Sequence, residues 1–210
     1  MYFWILALAV ALLLWLVVKW FFINPAEHKF NEVARVYFDK QAEKDRGTVT
    51  VTNGTPTLTI PYKTTTIDLA FISNDDDITQ EFTYARFRTE NFSDKKFSMF
   101  VNSKDLLLKP LVIGTRVELL DERLREHYVV TGNDAAFVNR VLTQELGGKL
   151  LKLPLNVKFG RRIDSSRLSG ERGWLTVFIH GATAGDEIFD ALVETAILFY
   201  ERLEGMKDER

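Results

Sequence analysis

The chain opens with a long apolar run. No charged side chain occurs in residues 1–18, and Lys19 is followed by four more apolar residues. At about 1.5 Å per residue, an uncharged helix of this length nearly spans the roughly 30 Å hydrocarbon core of a bilayer. The alternatives are a cleaved signal peptide and a buried core helix, but the basic start and the small-residue cleavage site of a signal peptide are missing. We therefore predict an uncleaved, single-pass signal anchor over residues 1–23.

Aromatic side chains gather at both ends of this anchor, as expected of residues that prefer the two membrane interfaces. Lys19 lies near the end of the run, where its aliphatic stem can stay among the lipid chains while its ammonium reaches the headgroups. We predict that residues 2–23 contact the bilayer. The residues predicted to hold the anchor there are Trp4, Trp15, Lys19, Trp20 and Phe21.

The basic residues near the anchor all lie on its C-terminal side. Only Met1 precedes the apolar run, whereas Lys19, Lys29 and Arg35 follow it closely. Cytoplasmic flanks of membrane spans carry an excess of Lys and Arg. We therefore predict that the N-terminus lies outside and that the soluble domain is cytoplasmic.

Helical spacing begins directly after the anchor. Asn24 is a suitable N-cap, Pro25 suits the first helical turn, and Gly47 marks the end. Apolar residues recur at positions 30, 33, 34, 37 and 38. The pattern predicts a membrane-proximal amphipathic helix within residues 24–47, with its apolar face on the protein's own sheet or on a partner helix.

From residue 48 to residue 131 the apolar period changes to two. The predicted strands in this stretch cover residues 48–52, 57–60, 65–73, 79–89, 96–102, 106–113 and 127–130. Their connections are too short for crossover helices, which favours an antiparallel meander. Because Asp75, Asp76 and Asp77 are consecutive, their carboxylates point in different directions and do not converge on a cation. We therefore interpret them as a solvated turn.

Mixed elements follow. We expect a helix over residues 135–146 that stops at Gly147 and Gly148, and two strands near residues 155–159 and 174–180 around a basic turn. A last helix is predicted to start at Thr183 and to end at Gly205. The fold class is therefore α+β: an N-terminal transmembrane helix followed by an antiparallel β-sheet domain, residues 48–210, with helices packed on it.

Composition and motifs limit the kinds of functional site that the sequence supports. The chain has no cysteine, and its net charge of −2 argues against a dedicated nucleic-acid binder. His28, His127 and His180 show no metal-ligand spacing, and no nucleophile elbow, phosphate loop or dinucleotide-binding glycine motif occurs. We therefore assign no catalytic residue, no metal ligand and no cofactor from the sequence.

The strongest charge feature is a basic stretch between residues 149 and 172. It would meet anionic lipid headgroups or an acidic patch on a protein partner, or it is simply a solvated turn. The residues predicted to make such a lipid or partner contact are Lys158, Arg161, Arg162, Arg167 and Arg172.

The stretch from Gly114 to Leu203 resembles a module of uncharacterised single-span membrane-anchored proteins, families described only as domains of unknown function. The residues that carry the resemblance are Val117-Glu118-Leu119-Leu120-Asp121-Glu122, Tyr128-Val129-Val130 before Gly132-Asn133-Asp134, Val141-Leu142-Thr143, and Asp190-Ala191-Leu192-Val193. The resemblance implies a single anchor, a soluble α+β domain and no established activity. It carries no catalytic residues.

These features predict a non-enzymatic, membrane-anchored interaction protein, an accessory or scaffold subunit of a membrane-associated complex with a protein partner in the membrane. The alternative is a membrane-tethered enzyme or ligand-sensing domain whose site is assembled from scattered residues. The residues that we would assign to such a site are Asp121, Asp164, Arg161, Arg162 and His180.

Overall fold

A computed structural model describes residues 8, 10–16, 25–52, 55–72, 82–101, 114–164, 167–181 and 183–208. The first helix, α1, is described at Leu8 and over residues 10–16. The later helices are α2 (Pro25–Asp45), α3 (Glu122–His127), α4 (Ala135–Val141), α5 (Gln144–Lys152) and α6 (Asp186–Asp208). The strands are β1 (Thr48–Thr52), β2 (Thr55–Tyr62), β3 (Thr65–Ile72), β4 (Phe82–Arg88), β5 (Phe97–Val101), β6 (Thr115–Arg116), β7 (Tyr128–Gly132), β8 (Asn156–Asp164) and β9 (Arg167–His180).

All nine strands belong to one sheet, in the order β1-β2-β3-β4-β9-β8-β5-β7-β6, and every neighbouring pair is antiparallel. The α+β prediction with an antiparallel sheet is therefore confirmed. Strands β1 to β4 form a meander, which is only the first part of the one predicted through residue 131, because β4 pairs with β9 rather than with β5. The β8–β9 hairpin then inserts between β4 and β5, so strands that are distant in sequence lie side by side at the centre.

Helices α2 and α6 cover one face of the sheet. The Phe30 ring of α2 contacts Phe71 of β3, with centroids 5.1 Å apart, and Phe189 of α6 at 5.7 Å. Phe38 is fully buried and also contacts Phe189, at 5.5 Å. The apolar face of α2 therefore packs on the protein's own sheet and last helix, which decides between the two partners that the sequence left open.

The predicted helix over residues 135–146 is wrong. Helix α4 ends at Val141, because Leu142 takes ψ 77° and Thr143 caps a new helix by accepting a hydrogen bond from the Leu146 backbone N–H. Helix α5 then runs through both glycines that were expected to stop it. A Cβ on Gly147 would lie 3.2 Å from Leu124 Cδ1, so this glycine serves close helix packing rather than termination.

The boundaries of three further elements differ from expectation. Helix α6 continues past Gly205 to Asp208, because Leu203 and Met206 both remain buried and extend its apolar stripe. Strands β8 and β9 are longer than predicted, so Arg161 lies within a hairpin strand rather than in a turn. The predicted strand over residues 106–113 and the Asp75–Asp77 turn lie outside the described residues.

Within the described part of the chain, no helix is both long enough and apolar enough to cross a membrane. Most of the predicted anchor, including Trp4, Lys19, Trp20 and Phe21, lies outside that part. The transmembrane helix thus stays a prediction from the sequence.

Candidate functional site

A single line of polar residues crosses all nine strands. Each member is the direct cross-strand partner of the next, and directly opposed residues of a sheet project from the same face. In strand order from β1 to β6, this polar row is Thr48, Thr59, Asp68, Arg86, Thr176, Lys158, Ser98, Thr131 and Arg116. Residues one position away in each central strand, such as Phe87 and Leu175, belong to the core under the helices, so the polar row lies on the opposite face.

The middle of the polar row is buried although it carries two cations. Lys158 and Ser98 are 0% exposed, Thr176 is 1% exposed and Arg86 is 8% exposed. A small apolar cluster that includes Tyr84, Phe100 and Phe178 lies on the same face. Buried charges are costly unless they are paired or hydrogen-bonded, so this part of the sheet is an unusual environment.

Arg86 is held by charge and by aromatic rings. Its Nε lies 3.5 Å from Asp68 Oδ2, and Asp68 Oδ1 in turn accepts a hydrogen bond from Thr59 Oγ1 at 2.9 Å. The guanidinium carbon is 4.8 Å from the ring centroid of Tyr84 and 5.2 Å from that of Trp174. A guanidinium between two aromatic faces gains cation–π attraction. Arg86 is therefore fixed in place on the row.

Lys158 lies two strands from Arg86, with Thr176 between them. Burial lowers the pKa of Lys158 to about 8, and the nearby positive charge of Arg161 contributes in the same direction. The Oγ1 atoms of Thr176 and Thr131 are buried and form no hydrogen bond with the residues that the structure describes. The centre of the row thus combines two cations with hydroxyl groups that no described residue engages, which is chemistry suited to a carboxylate or a phosphate.

The predicted lipid or partner contacts do not all lie at the surface. Lys158 is 0% exposed, so its predicted surface contact is wrong, because the lysine side chain is buried on a central strand that lies between β9 and β5. Arg161 and Arg172 are exposed and directly opposed on β8 and β9. The side chains of Arg162 and Arg167 lie outside the described residues.

The scattered residues proposed for an enzyme or sensor site are not brought together. Asp121 caps α3, and its pKa is lowered mainly by the Arg123 side chain, which approaches to 2.8 Å. His180 ends β9, whereas Arg161 pairs with Arg172 eight residues earlier in that strand. At about 3.3 Å per residue, His180 and Arg161 lie roughly 26 Å apart. The side chains of Asp164 and Arg162 are not described.

The polar row was missed by the sequence analysis. In the central strands the member of the row stands between two apolar neighbours, as Ser98 in β5 and Lys158 in β8 illustrate. That local signal was available, but only the register aligns these residues. Across the described ranges, no group of three or more His, Asp or Glu is placed to hold a metal ion.

No model of a protein family, no curated protein and no solved structure matches this chain. The resemblance of residues 114–203 to membrane-anchored modules therefore stays an expectation from the residues alone.

Proposed function

We propose that the chain is a non-enzymatic, single-pass membrane protein that presents its α+β domain to a protein partner, as an accessory or scaffold subunit of a membrane-associated complex. The observation that carries the proposal is the surface of α1. Its seven large apolar residues from Leu8 to Leu16 are each 49–71% exposed. Such a surface is too costly to leave in water, and a bilayer together with neighbouring membrane helices would cover it.

The connection between anchor and domain supports the same proposal. Helix α2 begins at Pro25, two residues after the predicted end of the anchor, and is packed into the core through Phe30. The domain is thus held close to the bilayer surface. The basic residues that follow the anchor favour the cytoplasmic side.

The first experiment is alkaline carbonate extraction of membranes that contain the full chain with a C-terminal tag. We expect the protein to stay in the membrane pellet. A Leu13→Asp, Leu14→Asp variant should shift to the supernatant, since a charge at the centre of a span is strongly disfavoured. Val36→Asp, at an exposed position of α2, is the matched control and should stay in the pellet. Release of the unaltered protein would overturn the anchor.

The second experiment tests the partner. Purification of the tagged full chain in mild detergent should recover a membrane protein in fixed stoichiometry. Recovery of the chain alone, as a defined small oligomer, would contradict the accessory-subunit role and favour the second candidate function.

That second candidate is a membrane-tethered domain that senses an anionic ligand at the polar row. It is supported by Arg86 and Lys158 on either side of Thr176, whose hydroxyl forms no hydrogen bond with the described residues. Thermal unfolding in phosphate or acetate, at constant ionic strength, tests it. A concentration-dependent rise in Tm that disappears in Thr176→Val supports ligand binding, and an equal response in both proteins rejects it.

A further inference from the structure

The β8–β9 hairpin extends beyond the rest of the sheet. Strand β4 pairs with β9 only from Trp174 onward, and β5 pairs with β8 only up to Phe159. Over residues 161–164 and 167–172, which we term the basic arm, the register pairs β8 and β9 with each other. A two-stranded hairpin without further strands is marginally stable in water, so an arm of this kind gains from contact with another surface.

The basic arm carries a net positive charge. It contains four arginines against Asp164 and Glu171. Arg161 and Arg172 are exposed and directly opposite each other, an arrangement that destabilises a sheet through like-charge repulsion. Neither forms a salt bridge with the residues that the structure describes. An anionic partner would relieve the repulsion.

The arm lies far from the point where the chain leaves the predicted anchor. Phe30, in the second turn of α2, contacts Phe71, which is level with Thr83 and Ile179 in the sheet. Arg172 lies seven residues from Ile179 along β9, or about 23 Å at 3.3 Å per residue. Electrostatic attraction between exposed groups is screened beyond about 8 Å at physiological ionic strength. The position thus favours a partner other than the lipid surface beside the anchor.

From these observations we propose that the basic arm docks onto an acidic surface of a protein partner. The proposal rests on the proposed function, since it names the chemistry of the partner for an anchored interaction protein. Nucleic acid is disfavoured because the arm contains no aromatic side chain on which bases could stack.

The test uses the full chain in phosphatidylcholine nanodiscs and a fluorescently labelled poly-glutamate peptide as the probe. We expect salt-sensitive binding that Arg172→Glu weakens by about tenfold, since the change reverses one charge of the contact. The same variant places a carboxylate opposite Arg161, so its Tm should stay equal or rise. Weaker binding without lost stability distinguishes docking from a merely structural effect.

The matched control is Lys207→Glu, which makes the same charge change at an exposed position of α6. It should bind the peptide as the unaltered chain does. Equal loss in both variants would overturn the proposal, as would no detectable binding by the unaltered chain. Arm-dependent binding of phosphatidylserine vesicles or of a single-stranded oligonucleotide, in preference to the peptide, would overturn it as well.

The result is separable from the anchor experiment. If the chain resists carbonate extraction but does not bind the peptide, the docking role of the basic arm is refuted and the membrane anchor is still supported. A chain that is extracted but binds the peptide through Arg172 refutes the anchor alone.

Discussion

The Tyr37 hydroxyl donates a hydrogen bond of 2.5 Å to Asp190 Oδ1, which joins α2 to α6. Tyr37 is 5% exposed, and burial together with the Asp190 carboxylate raises its pKa well above the usual range. The phenol therefore stays protonated and keeps donating throughout the physiological pH range. The bond reinforces the packing of Phe30 and Phe38 against Phe189.

Tyr37→Phe should lower the free energy of unfolding by about 1–2 kcal/mol, because it removes a partly buried hydrogen bond to a charged group. Tyr62→Phe is the matched control. Tyr62 donates a similar bond to Glu201 of α6, but in an exposed setting, and its loss should cost less than about 0.5 kcal/mol. Urea denaturation of both variants measures the difference. Equal losses of unfolding free energy in the two variants would contradict a stabilising role for the Tyr37 hydrogen bond between α2 and α6.

Asp68→Asn should destabilise the protein by about 2–3 kcal/mol, because the largely buried guanidinium of Arg86 would lose a charged neighbour. The same change at the exposed Asp39 of α2 should cost less than about 0.5 kcal/mol. Denaturant unfolding compares the two variants. A small effect at Asp68 would mean that the two aromatic rings, rather than the carboxylate, hold Arg86.

Lys158 gives a pH dependence of defined sign. Its native pKa of about 8 lies below the ordinary lysine value of 10.5, so the unfolded chain binds more protons than the native chain between these limits. Stability must then rise with pH, by about 2 kcal/mol between roughly pH 8 and pH 9.5. Above about pH 10 the trend should reverse, because burial raises the pKa of Tyr37 and Tyr128, and the unfolded tyrosines ionise first.

The variant Lys158→Met should remove the rise between pH 8 and pH 9.5 and keep the decline at higher pH. Lys207→Met, at an exposed position of α6, should leave the whole profile unchanged. Denaturant unfolding at a series of pH values provides the measurement. A flat profile in the unaltered protein would show that Lys158 is not desolvated in solution.

The neighbouring glycines of α5 should respond differently to alanine. A Cβ on Gly148 meets nothing within 4 Å, so Gly148→Ala should stabilise the helix by about 0.5–1 kcal/mol through higher helix propensity. At Gly147 the new Cβ would press on Leu124 at 3.2 Å and on Asp121 Oδ2 at 3.4 Å, which offsets that gain. We expect the free energy of unfolding of Gly148→Ala to exceed that of Gly147→Ala by about 1 kcal/mol, and thermal unfolding of both variants measures the difference.

Local patterns predicted most elements but not their arrangement. Period-two spacing indicated β1 to β5, and helical spacing indicated α2 and α6; the alternation is clearest in β2, which buries every second residue. The break at Leu142 was missed because apolar residues continue on both sides of it. The short helix α3 was missed because only Leu124 is buried in it, too little to produce a period.

The polar row was not predicted for a different reason, which is that it depends on long-range strand pairing. Lys158 was assigned to the surface because it lies in a basic stretch, whereas its burial follows from the insertion of β8 between β9 and β5. That order depends on pairings such as Ser98 with Lys158, which join residues 60 positions apart. No local pattern encodes such a register.

The position of the β8–β9 hairpin has a consequence for biosynthesis. Strands β1 to β4 and strands β5 to β7 can each pair as soon as they are made, and among the strands that the structure describes only β8 and β9 join them. A ribosome that has not yet released residue 180 therefore holds two separate half-sheets, with the edges of β4 and β5 open to water and to other chains. Truncation before β9 should leave an aggregation-prone product rather than a smaller folded domain. Productive folding should be slow, because contacts such as Thr83 with Ile179 close loops of nearly 100 residues.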